Sequence, residues 1–314
     1  MKNAVFFDTS DGQNLRINTI STYLKKHFGN KIVKLSIDGG FTCPNRDGTK
    51  GIGGCAFCSS SGSGDMASGS GDIYKDIDEQ INLLSTKWSN AGYLAYFQSH
   101  TNTYASVPDL RQKFEEALSH PQISGIAIAT RPDSISNEVL EYLQELNEKT
   151  FMWVELGLQT IHPGTQYAMN ICYTTEEYDE TFAKLNNAGI RTVTHLILGL
   201  PGESREQMIE SVQHVCNSNP FGMKLHMFNL VKGSPMAVTH PDYCSFKTMD
   251  EYIDTVIEAI EIIPSDVTLH RISGDAPRST LIYPEWSYKK RTILNTIHKE
   301  MKERNTWQGR LAAK

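Results

Sequence analysis

Long apolar runs are missing from this sequence. No stretch of its 314 residues is long and apolar enough to cross a bilayer as a helix. Met1–Leu15 lacks both the cationic start and the apolar core of a signal peptide, so the chain is expected to be soluble and cytoplasmic, with no membrane partner. It also lacks the bias of a disordered chain, because 39% of its residues are apolar and 21% charged. There is no short-period repeat and no dividing linker, and the length suits one large α/β domain or two ordinary ones. Cysteine is scarce, at six residues, and a reducing compartment disfavours a disulfide framework.

Positive charge is in deficit overall, with 30 Lys+Arg against 36 Asp+Glu and a formal net charge of −6. The deficit is local. Residues 1–34 carry +4 and residues 271–314 carry +6, which leaves −16 between them. A polyanionic partner would meet the two ends first, whereas a pair of solvated helices is the bland alternative.

What is present is a strict alternation of short apolar runs and amphipathic stretches. Strands are expected at Lys31–Asp38, Tyr93–Gln98, Ile123–Ala129, Met152–Leu158, Thr192–Leu198 and Lys224–Leu230, with a short last strand at Val267–Ile272. Helices are expected at Asp72–Asn90, Pro108–Ser119, Asn137–Glu148, Thr175–Asn187, Glu203–Cys216 and Thr248–Ile263, and a basic helix at Ser287–Arg304. Six strand–helix units imply an α/β fold, a parallel sheet that curls into a partial barrel, with chemistry at the carboxyl ends of its strands. The expected organisation is an N-terminal extension (1–30), the barrel (31–263) and a C-terminal extension (264–314).

Three of the cysteines, Cys43, Cys55 and Cys58, fall close together after the first strand, in a segment containing Gly48, Gly51, Gly53 and Gly54. No fourth thiol has matching spacing. A closed zinc site wants four ligands and would have to recruit a residue such as His100. Three thiolates on a [4Fe–4S] cluster would instead leave one iron open to an exchangeable molecule. The Gly/Ser stretch 59–71 follows directly and is a candidate active-site loop. Cys172, Cys216 and Cys244 are scattered, and burial as small apolar side chains is their default reading.

Further motifs, LSIDGGFTCPNRDG (35–48), GGCAFC (53–58), ATRPD (129–133), ELGLQT (155–160), THLILGLPGE (194–203) and LHRISGDAP (269–277), cover nearly the whole chain. With these the sequence resembles the radical S-adenosylmethionine (SAM) enzymes. It is most similar to the YtqA-type branch, related to the elongator catalytic subunit and anaerobic coproporphyrinogen oxidase. The resemblance implies a partial (β/α)6 TIM-like barrel with a C-terminal strand and basic helix. It also implies a [4Fe–4S] cluster on Cys43, Cys55 and Cys58, with SAM on the open iron. One electron from the cluster would cleave SAM to methionine and a 5′-deoxyadenosyl radical, which takes a hydrogen atom from an unreactive C–H bond. An electron donor such as flavodoxin or ferredoxin would be needed.

The same resemblance places SAM against Gln98, Ser99, Thr101 and Asn102, in a run that is glycine-rich in relatives but not here. It places Gln159 and His195 near the ribose, Gly199 beside the adenine and Phe57 before the third cysteine, and includes Glu155 on the fourth strand. Many relatives read Asn-Arg-Gly-His where this chain has Asn170-Ile171-Cys172-Tyr173, and their Arg grips the SAM carboxylate. Ile171 cannot, so either Arg131 is the substitute cation or the carboxylate is held by backbone and iron alone. Polar strand ends for Glu155 and Gln159, a core histidine at His195 and a plain turn at Gly199 are the structural alternatives.

His270 and Arg271 end the last strand and are the candidate substrate residues, since a guanidinium forms a bidentate fork with phosphate or carboxylate. Lys289, Lys290, Arg291, Lys299, Lys302 and Arg304 follow on the basic helix, whose apolar stripe is Leu294, Ile297 and Met301. Its cations are expected to face water, where RNA phosphates can pair with them. The resemblance implies tRNA, met at the anticodon loop, and conversion of a 5-carboxymethylaminomethyl group on the wobble uridine toward 5-aminomethyl. The alternatives are a radical SAM enzyme for a small molecule and a non-enzymatic metal-binding module.

Overall fold

The computed structural model describes residues 6–8, 14–59, 67, 69–274 and 276–312. Most of the Gly/Ser stretch 59–71, and Asp275 of the Arg271 motif, lie outside the described residues. Seven strands form one parallel sheet: β1 (Ile32–Ile37), β2 (Gly92–Phe97), β3 (Ile123–Thr130), β4 (Phe151–Gln159), β5 (Thr192–Leu198), β6 (Gly222–Met227) and β7 (Thr268–Arg271). Their order across the sheet is β7-β6-β5-β4-β3-β2-β1, so every strand lies beside its neighbours in sequence. That is the winding of a β/α barrel rather than of a doubly wound sheet, whose order reverses at a switch point.

The strands are nearly continuous apolar runs because both faces are covered. In β2, Leu94, Ala95 and Phe97 are fully buried, as are Trp153, Val154 and Leu156 of β4. The intervening helices start where short polar side chains cap them. Ser106, Ser136, Thr174, Ser204 and Thr248 each accept a hydrogen bond from the backbone three residues on. Three of them, Thr174, Ser204 and Thr248, complete capping boxes with Glu177, Gln207 and Glu251.

By its internal contacts the chain divides into two compact units, one made of residues 24–158 and 170–193, the other of residues 1–23, 159–169 and 194–314. In the first, β1 and β2 pair without irregularity from Ile32↔Gly92 to Ile37↔Phe97, and Phe97 pairs with Ile128 of β3. The loops after β1, β2 and β3 therefore leave the sheet at one edge. In the second, Leu230–Val231 breaks away from the end of the sixth apolar run and pairs antiparallel with Leu281–Tyr283. The expected sixth strand, Lys224–Leu230, is thus two strands. Among the described residues no helix is long and apolar enough to cross a membrane.

Candidate active site

In the first unit the loop after β1 is wound tightly about its cysteines. Arg46 N and Cys58 N donate to Cys43 O and Cys55 O at 2.8 and 3.0 Å, and Gly54 N donates to Asn45 O at 2.8 Å. All three thiols are free, with Cys43 buried and the others half-buried. The Cys55 and Cys58 side chains are hydrogen-bonded to each other. That bond, helped by the Arg131 and Arg46 charges and by Asn45, pulls Cys55 below the usual thiol range against the opposing effect of burial. The same bond and burial push Cys58 up.

A cationic setting of this kind favours thiolates, the form that binds metal. Soft sulfur ligands under positive charge fit an iron–sulfur cluster. Among the described residues no three His, Cys, Asp or Glu side chains are gathered as around a single ion. Cluster thiolates each bind a separate iron and need no such convergence. His100, considered above as a fourth zinc ligand, has its pKa lowered by burial and by the neighbouring Arg46 charge.

The run after β2 replaces glycines in an unexpected way. Ser99 and His100 both adopt left-handed backbone, at φ 80° and 53°. This region is costly for residues other than glycine and is found where the surroundings impose it. Asn102 Nδ2 donates to Ser99 O and Ala129 O at 3.0 and 2.8 Å and so braces the turn. Three buried oxygens here, Ser99 Oγ, Thr101 Oγ1 and Asn102 Oδ1, have no hydrogen-bond partner within the protein. Buried polar atoms are rarely left so. An ammonium donor such as the SAM amino group would satisfy them. Gln98, directly before this run, and Phe57, before the third cysteine, are half-buried.

Arg131 follows β3. Its Nε and Nη2 form a fork on Asp133 at 2.9 and 2.7 Å, its Nη1 stands 3.9 Å from Cys43 Sγ, and its guanidinium lies over the Tyr173 ring at 4.8 Å. Burial opposes the Arg131 charge, but Asp133 outweighs it and the net shift is upward. Lys50 approaches Asp133 at 3.0 Å and Glu177 at 3.2 Å. Arg131 is thus largely committed within the protein, a limit on its expected role as a carboxylate clamp. Glu155 is fully buried, accepts from Trp153 Nε1 at 2.9 Å and lies 3.9 Å from Lys34 Nζ.

Cys172 corrects the expectation that it is merely a core residue. Its Sγ donates to Asn45 Oδ1 at 2.9 Å, on the cysteine loop itself. Asn45, Arg46 and Cys172 were not singled out from the sequence. The signals available were the place of Asn45 two residues after Cys43 and the unusual Asn170-Ile171-Cys172-Tyr173 stretch. Cys216 does behave as a core thiol, its pKa raised by burial to about 12.

In the second unit Gln159 ends β4 in left-handed backbone, φ 71°. His195 on β5 faces His226 on β6, ring centroids 5.0 Å apart, a pairing not evident in the sequence. Gly199 (φ 83°) is more than a turn residue, since a Cβ there would meet Phe246 and Ser245 at 2.7 Å. Its carbonyl accepts from Tyr243 OH at 2.9 Å. His270 Nε2 lies 3.0 Å from Thr268 Oγ1, and its ring stands edge-on to Phe221. Arg271 is half-buried beside Tyr252, whose hydroxyl donates to Ile272 O at 3.2 Å.

The basic helix runs over Lys290–Glu303 and buries Ile293, Ile297 and Met301, so Ile293 takes the place expected of Leu294. All its cations but the half-buried Lys290 are exposed, and two of the exposed ones also pair with carboxylates. Arg304 pairs with Asp254 at 2.6 Å and Glu300 at 3.0 Å, and Lys299 lies 3.7 Å from Glu303. Lys289, Arg291 and Lys302 are exposed.

The family model described as the Radical SAM superfamily matches residues 43–215, starting at the first cysteine of the loop, and the Radical_SAM C-terminal domain matches residues 220–303. The chain belongs to the radical SAM superfamily. Members of that superfamily use a [4Fe–4S] cluster and SAM. This radical SAM protein is 43% identical over 297 residues to the uncharacterized protein YtqA of Bacillus subtilis strain 168, covering 94% of this chain and 92% of that one. It is 24% identical over 204 residues, 63% of this chain and 36% of the other, to the tRNA uridine(34) acetyltransferase of Methanocaldococcus jannaschii. Among solved structures, the Elp3 of Methanocaldococcus infernus matches with a TM-score of 0.67 at 16% identity, over 88% of this chain and 64% of that one. That likeness is one of fold, the α/β partial barrel expected from the sequence.

Proposed function

We propose that this radical SAM enzyme modifies the wobble uridine of tRNA, carrying a 5-carboxymethylaminomethyl group toward 5-aminomethyl. The observation that carries the reading is the kinship with a protein named for uridine 34 of tRNA. The exposed cations Lys289, Arg291 and Lys302 give an RNA phosphate backbone something to pair with.

When bound, the cluster and SAM together supply a 5′-deoxyadenosyl radical able to take hydrogen from an unreactive C–H bond. In our assignment Cys43, Cys55 and Cys58 hold the cluster. Ser99, Thr101 and Asn102 receive the SAM amino group, with Gln98 and Phe57 flanking. Arg131, through the Nη1 nearest Cys43, faces the carboxylate; Glu155 of the first unit and Gln159, His195 and Gly199 of the second keep the SAM-binding roles that the family resemblance implies. Arg271 holds the carboxylate of the substrate's glycine-derived arm, so that the methylene between nitrogen and carboxylate presents its hydrogen. His270, held by Thr268 and packed at Phe221, is the second substrate residue at this strand end. An anticodon base is already single-stranded, so little unpairing is needed to reach it. A flavodoxin- or ferredoxin-like donor supplies the electron.

Mass spectrometry of tRNA nucleosides from cells with and without the gene tests the reading. Loss of the 5-methylaminomethyl form and accumulation of its 5-carboxymethylaminomethyl precursor is expected. An unchanged nucleoside profile would move the substrate to a small molecule.

A further inference from the structure

Asn45 is fully buried, and its amide is used completely. One Nδ2 hydrogen goes to Asn170 O at 2.6 Å and the other to Cys55 Sγ at 3.4 Å, while Oδ1 accepts from Cys172 Sγ at 2.9 Å. An amide has two donors and one carbonyl oxygen, and each meets its complement here. A backbone carbonyl can only face the NH2, and a thiol hydrogen points to the oxygen, so the orientation is determined from both sides.

The neighbouring backbone is shaped to this contact. A Cβ on Gly51 would lie 2.1 Å from Asn45 Oδ1 and 2.9 Å from Cys172 Sγ, so only glycine leaves room for the pair. Asn170, in left-handed backbone at φ 52°, sends its own Nδ2 to Gly54 O at 2.8 Å and so fastens the same segment to the cysteine loop a second time. Through Asn170 and Cys172 the segment 170–173 clamps the loop.

We infer that Asn45, held by Cys172 and Asn170, is a positioning residue that donates a hydrogen bond to the Cys55 ligand and raises the reduction potential of the cluster. The inference rests on the assignment of Cys43, Cys55 and Cys58 as cluster ligands. A hydrogen bond to a ligand sulfur stabilises the more negative, reduced cluster. Cys172 acts through Asn45 by fixing which end of the amide meets the sulfur.

The test is anaerobic reconstitution of the full chain, followed by iron and sulfide analysis and an electron-paramagnetic-resonance redox titration. Asn45→Leu is expected to load the same iron but to titrate lower. The ratio of reduced to oxidised cluster at a fixed potential should fall about tenfold, about 59 mV for one electron. Cys172→Ala should lower the potential in the same direction, and Cys172→Ser, which keeps a donor to Asn45 Oδ1, should restore it. Should Asn45→Leu not load, the Cys172 pair decides. Equal potentials for wild type, Cys172→Ala and Cys172→Ser would overturn the inference, as would an unchanged potential in a loaded Asn45→Leu. The ligand assignment fails separately, if a Cys43→Ala/Cys55→Ala/Cys58→Ala chain still takes up the cluster.

Discussion

Gln159 is a side chain held at an energetic cost. Left-handed backbone at a residue other than glycine costs about 1–3 kcal/mol, and such positions cluster at ligand sites. Gln159→Gly is therefore expected to raise the melting temperature while weakening SAM binding, as read by calorimetry on the reconstituted protein. Stability and affinity falling together would deny it that role. Asp133 is the opposite case, a carboxylate that stabilises. Burial raises its pKa, but Arg131 and Lys50 outweigh burial and the net shift is downward. Its contribution is complete above the unfolded value of about 4 and is lost as pH falls through the lower folded value. Asp133→Asn should cost about 3 kcal/mol at pH 7 in urea denaturation, since Arg131 stays buried without its partner. The variant should also lose the part of the acid-induced decline that lies below about pH 4.

Among the elements, the basic helix carries the substrate reading. Arg291 and Lys302 are about three turns apart and so share a face. Neutralising Lys289, Arg291 and Lys302 together should weaken tRNA binding and reduce the salt slope of the binding constant by about one per lost contact. An unchanged slope in a filter-binding series would remove the helix from the interface. Strand and helix positions were legible to within a few residues because burial on both strand faces and short polar caps write themselves into the sequence, as Thr174 and Ser204 do. The break after Met227 is not legible, because Phe228, Leu230 and Val231 keep the stretch largely apolar while the backbone changes partner. The helix at Ile20–Phe28 ends at a plain stop signal, Gly29 at φ 76°, but lies within the segment read as an N-terminal extension. In the candidate site the three cysteines stood out by spacing. Cys172 and His226 did not, since their proximity to Asn45 and His195 comes from the fold alone.

For the molecule as a whole, a cofactor that binds only the folded loop must stabilise the chain by linkage. Reconstitution with iron and sulfide should raise the melting temperature of the wild-type chain. It should leave that of the Cys43→Ala/Cys55→Ala/Cys58→Ala chain unmoved, and equal shifts in both would place the iron elsewhere. The cations around the cysteine loop have another effect. Arg131 and Arg46 favour the Cys55 thiolate, and the Cys58 sulfur lies within hydrogen-bonding reach of it. A thiolate beside a second thiol is the arrangement that oxidants attack first. The electrostatics that suit the loop to iron therefore also make it perishable in air before iron arrives. If Cys55 and Cys58 hold the cluster as proposed, the loop would have to be metallated before it is oxidised, and a Cys55–Cys58 disulfide would have to be reduced before the chain could mature.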